Sequence, residues 1–162
     1  MGIPHFLCLP LPIQGHVNPL MQFSLLLAKH GCKVTFVHTE FSYKRANTAG
    51  GDNKEEALVK LVTLPDGLEP EDDRTDVAKF LFSMKNTMPA LLPKLIQDID
   101  ASDVENKITC IIVTINMGWA LEIGHKLGIK GALLCPASAT SLASAASIPN
   151  LIEDGIIDSE GK

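Results

Sequence analysis

The fold is decided by one stretch near the start of the chain, His5-Phe-Leu-Cys-Leu-Pro10-Leu-Pro-Ile-Gln-Gly15-His-Val-Asn-Pro-Leu20. The apolar run 6–9 is typical of a short buried strand. A loop rich in proline and glycine follows at 10–17, and the periodic apolar segment 20–29 predicts a helix. Gly31 stands where a helix commonly ends in a left-handed turn. The stretch therefore predicts a strand, a loop and a helix in succession.

The start of this helix is predicted from Asn18 and Pro19. Asparagine at the N-cap accepts a hydrogen bond from a free backbone N–H, and proline at the first helical position gives up a donor that has no partner. His16 is then expected on the loop between the strand and the helix. Open α/β sheets bind ligands in the crevice at the carboxyl ends of their strands. His16 is therefore a candidate site residue.

Composition limits the class of protein. The chain has 162 residues, of which 46% are apolar, and a formal net charge of −5. This length supports one domain with a core, and the scattered basic residues do not indicate a nucleic-acid surface. The sequence has no run of 18 apolar residues, so no membrane span is predicted. Its start has no basic segment, so no signal peptide is predicted. The four cysteines form no CxxC pair, which is consistent with core positions in a reduced, cytoplasmic protein.

The remainder of the chain continues the alternation of strands and helices. Strands are predicted at 33–38, 58–64, 108–113 and 130–135, and the very apolar fourth strand is expected at the centre of the sheet. A turn, containing one helical turn or none, is predicted at 39–47, a mobile surface loop at 48–56, and helices at 77–99, 117–127 and 136–147. Pro89 and Pro93 predict a break or kink near Met88 that divides 77–99 into two helices. This order predicts an α/β fold with a Rossmann-like, mostly parallel sheet and helices on both faces.

Few side chains indicate chemistry on their own. The glycine patterns of dinucleotide and P-loop sites are missing after the first strand, and no histidines or cysteines have metal-ligand spacing, so no metal is predicted. An imidazole at His16 is suited to act as a general base at neutral pH, or alternatively to bond nearby backbone. Asp66 and Glu69 are interpreted as turn and solvent residues. Three methionines fit either an adaptable apolar pocket or ordinary core packing: Met84, Met88 and Met117.

An ordered series of motifs resembles a known family. The motifs are Leu9-Pro-Leu-Pro-Ile-Gln-Gly-His-Val-Asn-Pro-Leu20, Leu64-Pro-Asp-Gly-Leu68, Gly118-Trp-Ala-Leu-Glu-Ile123 and Ile148-Pro-Asn-Leu-Ile-Glu-Asp-Gly155. They resemble the amino-terminal half of plant family 1 UDP-glycosyltransferases, with the 83A-like group nearest. The resemblance implies a GT-B fold, in which two Rossmann-like domains face each other across a cleft. Residues 1–162 would form part of the acceptor-binding amino-terminal domain. The UDP-sugar-binding carboxy-terminal domain, with its signature box, is absent from this sequence.

The resemblance assigns the catalytic positions. In the family, the histidine of the first loop, here His16, removes the proton of an acceptor hydroxyl, which attacks the anomeric carbon of the sugar with inversion. An aspartate after the fourth strand normally orients that histidine, and this sequence has Thr114 there. A threonine is able to bond an imidazole but cannot balance its positive charge. Thr114 therefore implies an acidic acceptor, another partner for His16, or a weak enzyme.

The resemblance also assigns binding positions less directly. Gln14 and Gly15 match loop positions near the donor phosphate and sugar, and Pro136 stands where relatives often have a hydroxyl residue that touches the donor sugar. Acceptor-pocket positions are matched by Met84, Met88, Asn116, Met117 and Cys135.

The function expected from the resemblance is transfer of a hexose, in particular glucose, from a UDP-sugar to a hydroxyl of a flavonoid, phenolic or terpenoid. The UDP-sugar is a co-substrate, and no cofactor is expected. The missing half would be supplied in cis or as a separate chain, and these residues alone would be inactive. The alternative is a non-catalytic truncated binding module or pseudoenzyme fragment. A flavodoxin-like or receiver domain fits the bare alternation, but the chain lacks an acidic cluster after the first strand.

Overall fold

The sheet of this protein has five parallel strands in a computed structural model that describes residues 2–48, 58–158 and 160. The order across the sheet is β3-β2-β1-β4-β5. The strands are β1 (His5–Leu9), β2 (Lys33–Thr39), β3 (Lys60–Leu64), β4 (Cys110–Thr114) and β5 (Lys130–Leu134). The Rossmann-like parallel sheet predicted from the sequence is confirmed. The predicted surface loop at 48–56 falls, apart from Thr48, outside the described residues.

Four helices connect the strands, and a fifth follows β5. They are α1 (Gln14–Lys29), α2 (Glu40–Thr48), α3 (Val77–Ser102), α4 (Trp119–Lys126) and α5 (Ala139–Glu153). Helices α3 and α4 contribute to the apolar layer on one face of the sheet, and α1 contributes to the layer on the other face. Among the helices described, none is long and apolar enough to cross a membrane.

Alternation along the strands sorts side chains into these two layers. Leu7 and Leu9 face the α3 layer, whereas Cys8 between them packs with the α1 layer. This follows from the two-residue period of a strand. Because both faces are covered, the interior strands β1, β2 and β4 are mainly apolar, as expected for a parallel sheet. Each also holds a buried polar side chain, such as His5, Thr35 and Thr114.

The prediction that the fourth strand is central was wrong. The central strand is β1, which pairs with β2 on one side and with β4 on the other. Apolar composition reports burial on both faces, and a strand next to the centre is covered as fully as the central one. The sequence pattern therefore could not distinguish the two strands.

The predicted division into two helices near Met88 was also wrong, since α3 runs as one helix through Pro89 and Pro93. Each internal proline costs roughly 3 kcal/mol in a helix interior. A buried stripe opposes that cost, with burial worth about 1.5–3 kcal/mol for each large apolar side chain. The stripe consists of Phe80, Met84, Met88, Leu92, Ile96 and Ile99. Packing of this stripe on the sheet outweighs the local preference of the prolines.

The first helix begins earlier than the sequence predicted. Ile13 is the N-cap with extended backbone, and α1 starts at Gln14, so Asn18 and Pro19 lie inside the helix. Pro19 is the sixth residue of α1, so its missing N–H removes the hydrogen bond that would run to the Gly15 carbonyl, and the helix continues through it. The end of the helix was predicted correctly, since Gly31 follows the C-cap with φ of 81°.

Two smaller predictions also need correction. The predicted turn at 39–47 is largely helix α2, whose first N–H groups are served by Thr39 through a 3.1 Å hydrogen bond from the Ser42 amide. The cysteines were predicted at core positions, but Cys8 alone of the four is fully buried. Cys32, Cys110 and Cys135 are half-buried, and all four are free.

Candidate functional site

The candidate site lies where the strand order reverses. The chain moves outward from β1 to β2 and β3, then returns to β4 beside β1. Leu9 at the end of β1 is in register with Val113 of β4. The segments that leave these two strands therefore start side by side, which is the arrangement that forms a ligand crevice in open α/β sheets.

His16 lies in the first turn of α1, not on a preceding loop as predicted. Its backbone N–H donates to the Ile13 carbonyl over 2.9 Å, which starts the helix. The side chain is half-buried. The short loop after β1 and this first turn together hold the imidazole near the carboxyl edge of the sheet.

The surroundings of the His16 ring favour its neutral form over its charged form. Burial lowers the pKa of the His16 imidazole below its usual value. The positive end of the α1 dipole acts in the same direction, because a cation is disfavoured at a helix N-terminus. The Nδ1 atom is buried and has no hydrogen-bond partner among the described residues. Unpaired buried nitrogens are rare, so this one indicates a site that another group completes.

Thr114 serves the backbone of the loop that precedes His16. Its side chain is fully buried, and its Oγ1 accepts a hydrogen bond of 2.8 Å from the N–H of Leu11. No hydrogen bond joins Thr114 to His16 in the described part of the chain. The end of β4 thus lies against the loop that precedes His16, and the hydrogen bond between the Thr114 side chain and the Leu11 backbone joins them.

Three predicted acceptor residues meet in one cavity of about 230 Å³. Met84 comes from α3, and Asn116 and Met117 come from the turn after β4; Leu81, Lys85 and Trp119 complete the lining. Asn116 has a φ of 74°, in the left-handed region that asparagine tolerates better than most residues. This turn directs Met117 into the core and leaves Asn116 exposed.

The other predicted binding residues do not share that cavity. Gln14 lines a second, larger cavity, and Gly15 is exposed beside it in α1. Met88 is 1% exposed within the α3 core stripe, where core packing accounts for its position. Cys135 and Pro136 are half-buried after β5 and line neither cavity.

The interpretation of Asp66 as a solvent residue was wrong. Asp66 is 4% exposed and accepts two hydrogen bonds from Arg74, Nε to Oδ2 at 2.9 Å and Nη2 to Oδ1 at 3.1 Å. The Arg74 guanidinium also stacks over the Phe41 ring, 4.0 Å from its centroid. Sequence reasoning missed this pair, and the only signal was an isolated arginine eight residues after Asp66 in an acidic stretch.

Among residues 2–48, 58–158 and 160, no group of three or more histidine, cysteine or acidic side chains is arranged to hold a metal ion. The candidate site contains the imidazole of His16 and the hydroxyl of Thr114. An imidazole is able to accept a proton, and no carboxylate among the described residues is hydrogen-bonded to Nδ1 of this ring.

Comparisons with known proteins agree with this arrangement. Residues 5–64 match the family described as glycosyltransferase, N-terminal domain. UDP-glycosyltransferase 83A1 of Arabidopsis thaliana is 38% identical over 99% of this chain and 36% of its own length. (R)-mandelonitrile beta-glucosyltransferase of Prunus dulcis is 32% identical over 94% of this chain and 32% of its own length.

Solved structures show the same fold. Medicago truncatula UGT71G1 complexed with UDP-glucose matches with a TM-score of 0.63 and 19% identity, over 91% of this chain and 32% of that one. Os79 of O. sativa in complex with U2F and trichothecene matches with a TM-score of 0.72 and 18% identity, over 94% of this chain and 37% of that one.

The sheet order, the cleft position and these matches define a Rossmann-like domain of the GT-B class. Residues 5–64 match the glycosyltransferase N-terminal domain, and nearly the whole chain is similar to the amino-terminal part of plant UDP-glycosyltransferases. It spans about a third of the length of the curated relatives it matches.

Proposed function

We propose that this chain is the acceptor-binding part of a UDP-sugar-dependent glycosyltransferase that works in the cytoplasm. The complete protein would transfer a hexose, in particular glucose, to a hydroxyl of a small metabolite such as a flavonoid, phenolic or terpenoid. The observation that carries this proposal is the 38% identity to UDP-glycosyltransferase 83A1 across nearly the whole chain. The donor half would be supplied in cis or by a separate chain.

His16 is the general base in this proposal. A neutral imidazole is the form that accepts a proton, and burial together with the helix N-terminus favours that form. The base would take the proton of the acceptor hydroxyl while its oxygen attacks the anomeric carbon from the side opposite the leaving UDP, which inverts the configuration. Buried Nδ1 lacks a partner among the described residues, so the second nitrogen, Nε2, is the proposed acceptor of that proton.

The remaining assignments follow from where the side chains lie. Met84, Asn116 and Met117 share a cavity at the carboxyl edge of β4 and would contact the acceptor. Gln14 and Gly15, beside His16 at the start of α1, would lie near the donor. Thr114 would act by holding the Leu11 backbone in place. Pro136, Cys135 and Met88 stay predictions that rest on the resemblance alone.

The direct test is a chimera in which this chain replaces the corresponding segment of UDP-glycosyltransferase 83A1. Transfer from radiolabelled UDP-glucose to a panel of phenols would be measured for the chimera, for His16→Ala and for His125→Ala as the exposed control. Loss of a general base lowers turnover by about 10²–10⁴-fold. The proposal predicts such a loss for His16→Ala and none for His125→Ala. Equal rates in the two variants would refute the assignment of the base.

A second candidate function is favoured by one observation. The Thr114 hydroxyl accepts a hydrogen bond from the Leu11 N–H. No carboxylate among the described residues is hydrogen-bonded to Nδ1 of His16. A non-catalytic binding module would tolerate that arrangement. Calorimetry with flavonoids, in the presence and absence of UDP, separates the two candidates: acceptor binding that is not coupled to UDP, together with absent transfer, would favour the module.

A further inference from the structure

A large cavity lies between the first turn of α1, helix α2 and the start of α3. Its volume is about 780 Å³, enough for a drug-sized molecule. The lining residues are Pro12, Ile13, Gln14, Val17, Asn18, His38, Phe41, Ser42, Arg45, Arg74 and Phe80. Gln14 and Val17 flank His16 in the same turn of α1, so the cavity borders the proposed base.

The two arginines of this cavity differ in what they contact. Arg74 is half-buried and fully engaged, because its guanidinium pairs with Asp66 and also donates to the backbone carbonyls of Leu68, Glu69 and Asp72. The Asp66 carboxylate balances its charge. Arg74 therefore forms part of the cavity wall, and neither its donors nor its charge are available to a ligand.

Among the described residues that line the cavity, Arg45 is the cation without a compensating partner. It lies on α2 one turn after Phe41, its side chain is exposed, and it has no hydrogen bond or ion pair within the described part of the chain. No aspartate or glutamate belongs to the described lining. The wall thus carries net positive charge at one place, beside the apolar surfaces of Phe41 and Phe80.

We propose that this cavity holds the carboxylate-bearing part of an acceptor, in addition to the part that contacts Met84, Asn116 and Met117 in the smaller cavity, and that Arg45 recognises that carboxylate. A guanidinium offers two parallel N–H donors that match a carboxylate, and such charged pairs are stronger than neutral hydrogen bonds. Phe41 and Phe80 would contact the aromatic or apolar body of the molecule. The inference rests on the proposed function, since it names the class of substrate that the same enzyme accepts.

The test uses the chimera with 4-hydroxycinnamic acid and with its methyl ester, which share one phenolic hydroxyl and differ in charge. Arg45→Gln is compared with Lys44→Gln, which removes the same charge from a neighbouring position outside the cavity lining. Loss of a charge-assisted contact predicts a fall of about 10–100-fold in kcat/KM for the acid in Arg45→Gln. The ester should change less than threefold, and Lys44→Gln should leave both substrates unaffected. Equal effects on acid and ester, or no effect on either, would overturn the inference.

Binding separates this inference from the proposed function. If the chimera transfers glucose to neither compound, calorimetry of the acid and of the ester with the same proteins decides the matter. Binding of the acid that is at least tenfold tighter than that of the ester, and that Arg45→Gln abolishes, supports carboxylate recognition even when catalysis fails. Equal or absent binding of the two compounds overturns it. Circular dichroism of every variant confirms that the helices remain.

Discussion

The hydroxyl of Thr114 accepts a hydrogen bond of 2.8 Å from the backbone N–H of Leu11, across more than a hundred residues of sequence. This bond ties the end of β4 to the loop that leads into α1. Both groups are buried, so the Leu11 N–H has no access to water in exchange. The relationship identifies Thr114 as the residue that positions the loop before His16.

The first prediction concerns the loss of that hydroxyl. Thr114→Val keeps the shape of the side chain but leaves the Leu11 N–H buried without a partner, which costs about 1–3 kcal/mol. The free energy of unfolding, measured by urea titration, should fall by that amount. Thr114→Ser retains the hydroxyl and loses one methyl group, so it should lose less. A larger loss in the serine variant than in the valine variant would contradict the positioning role.

The second prediction concerns the missing charge beside His16. Thr114→Asp places a carboxylate at the end of β4, where it would raise the pKa of His16 and support the imidazolium that forms during proton transfer. We expect turnover of the chimera with weakly acidic alcohols to rise at least tenfold. The acid limb of the pH profile should move to higher pH. Thr114→Asn is the neutral control, and an equal gain there would show that charge is not the cause.

The sequence predicted the fold well where packing and local preference agree. The strand that ends near Leu9 and the glycine stop at Gly31 both appear as the pattern indicated. The prolines of α3 were misleading because packing of the buried stripe outweighed their local preference. The Asn18–Pro19 pattern was misleading because α1 already begins at Gln14.

The candidate site could be predicted only in part, because spacing along the chain does not report contacts across it. The motif placed His16 at the carboxyl edge of β1, which the structure shows. The Thr114–Leu11 bond and the Asp66–Arg74 pair each depend on the path of the backbone between distant segments. A threonine in an apolar strand and an aspartate in a turn give no signal of such partners.

The third prediction is a pH dependence of stability through His5. This residue is fully buried, with Nδ1 near the Asn106 carbonyl and Nε2 near the Thr35 hydroxyl, each at 2.8 Å. Burial lowers the pKa of His5, and Lys33 acts in the same direction, whereas the Asn106 carbonyl, Asp100 and Asp103 oppose it. Below pH 6.5 the unfolded chain therefore binds more protons than the folded one.

Stability should accordingly be fully present above pH 6.5 and fall as the pH drops toward the lowered pKa of the folded state, by at most about 1.4 kcal/mol per unit. Urea titrations between pH 7.5 and 5.5 measure this slope. His5→Gln removes the contribution, so its slope should be shallower than that of the unmodified protein, although its overall stability is lower. The exposed His125→Gln is the control, and an equal slope in His5→Gln and His125→Gln would exclude His5 as the source.

The last prediction concerns the pair that forms one wall of the large cavity. Asp66 is almost fully buried against Arg74, and it also accepts a 3.0 Å hydrogen bond from the Leu68 amide. Asp66→Asn leaves the guanidinium without its counter-charge, and breaking a buried pair in this way costs about 3 kcal/mol. Asp72→Asn is the matched control. It breaks the more exposed pair between Asp72 and Lys79, for which the loss should be much smaller because solvent screens the two charges. Urea unfolding of both variants measures the difference. Similar losses would mean that burial of Asp66 adds nothing to the strength of its pair, and that the cavity wall depends on the packing of Phe41 and Phe80 instead.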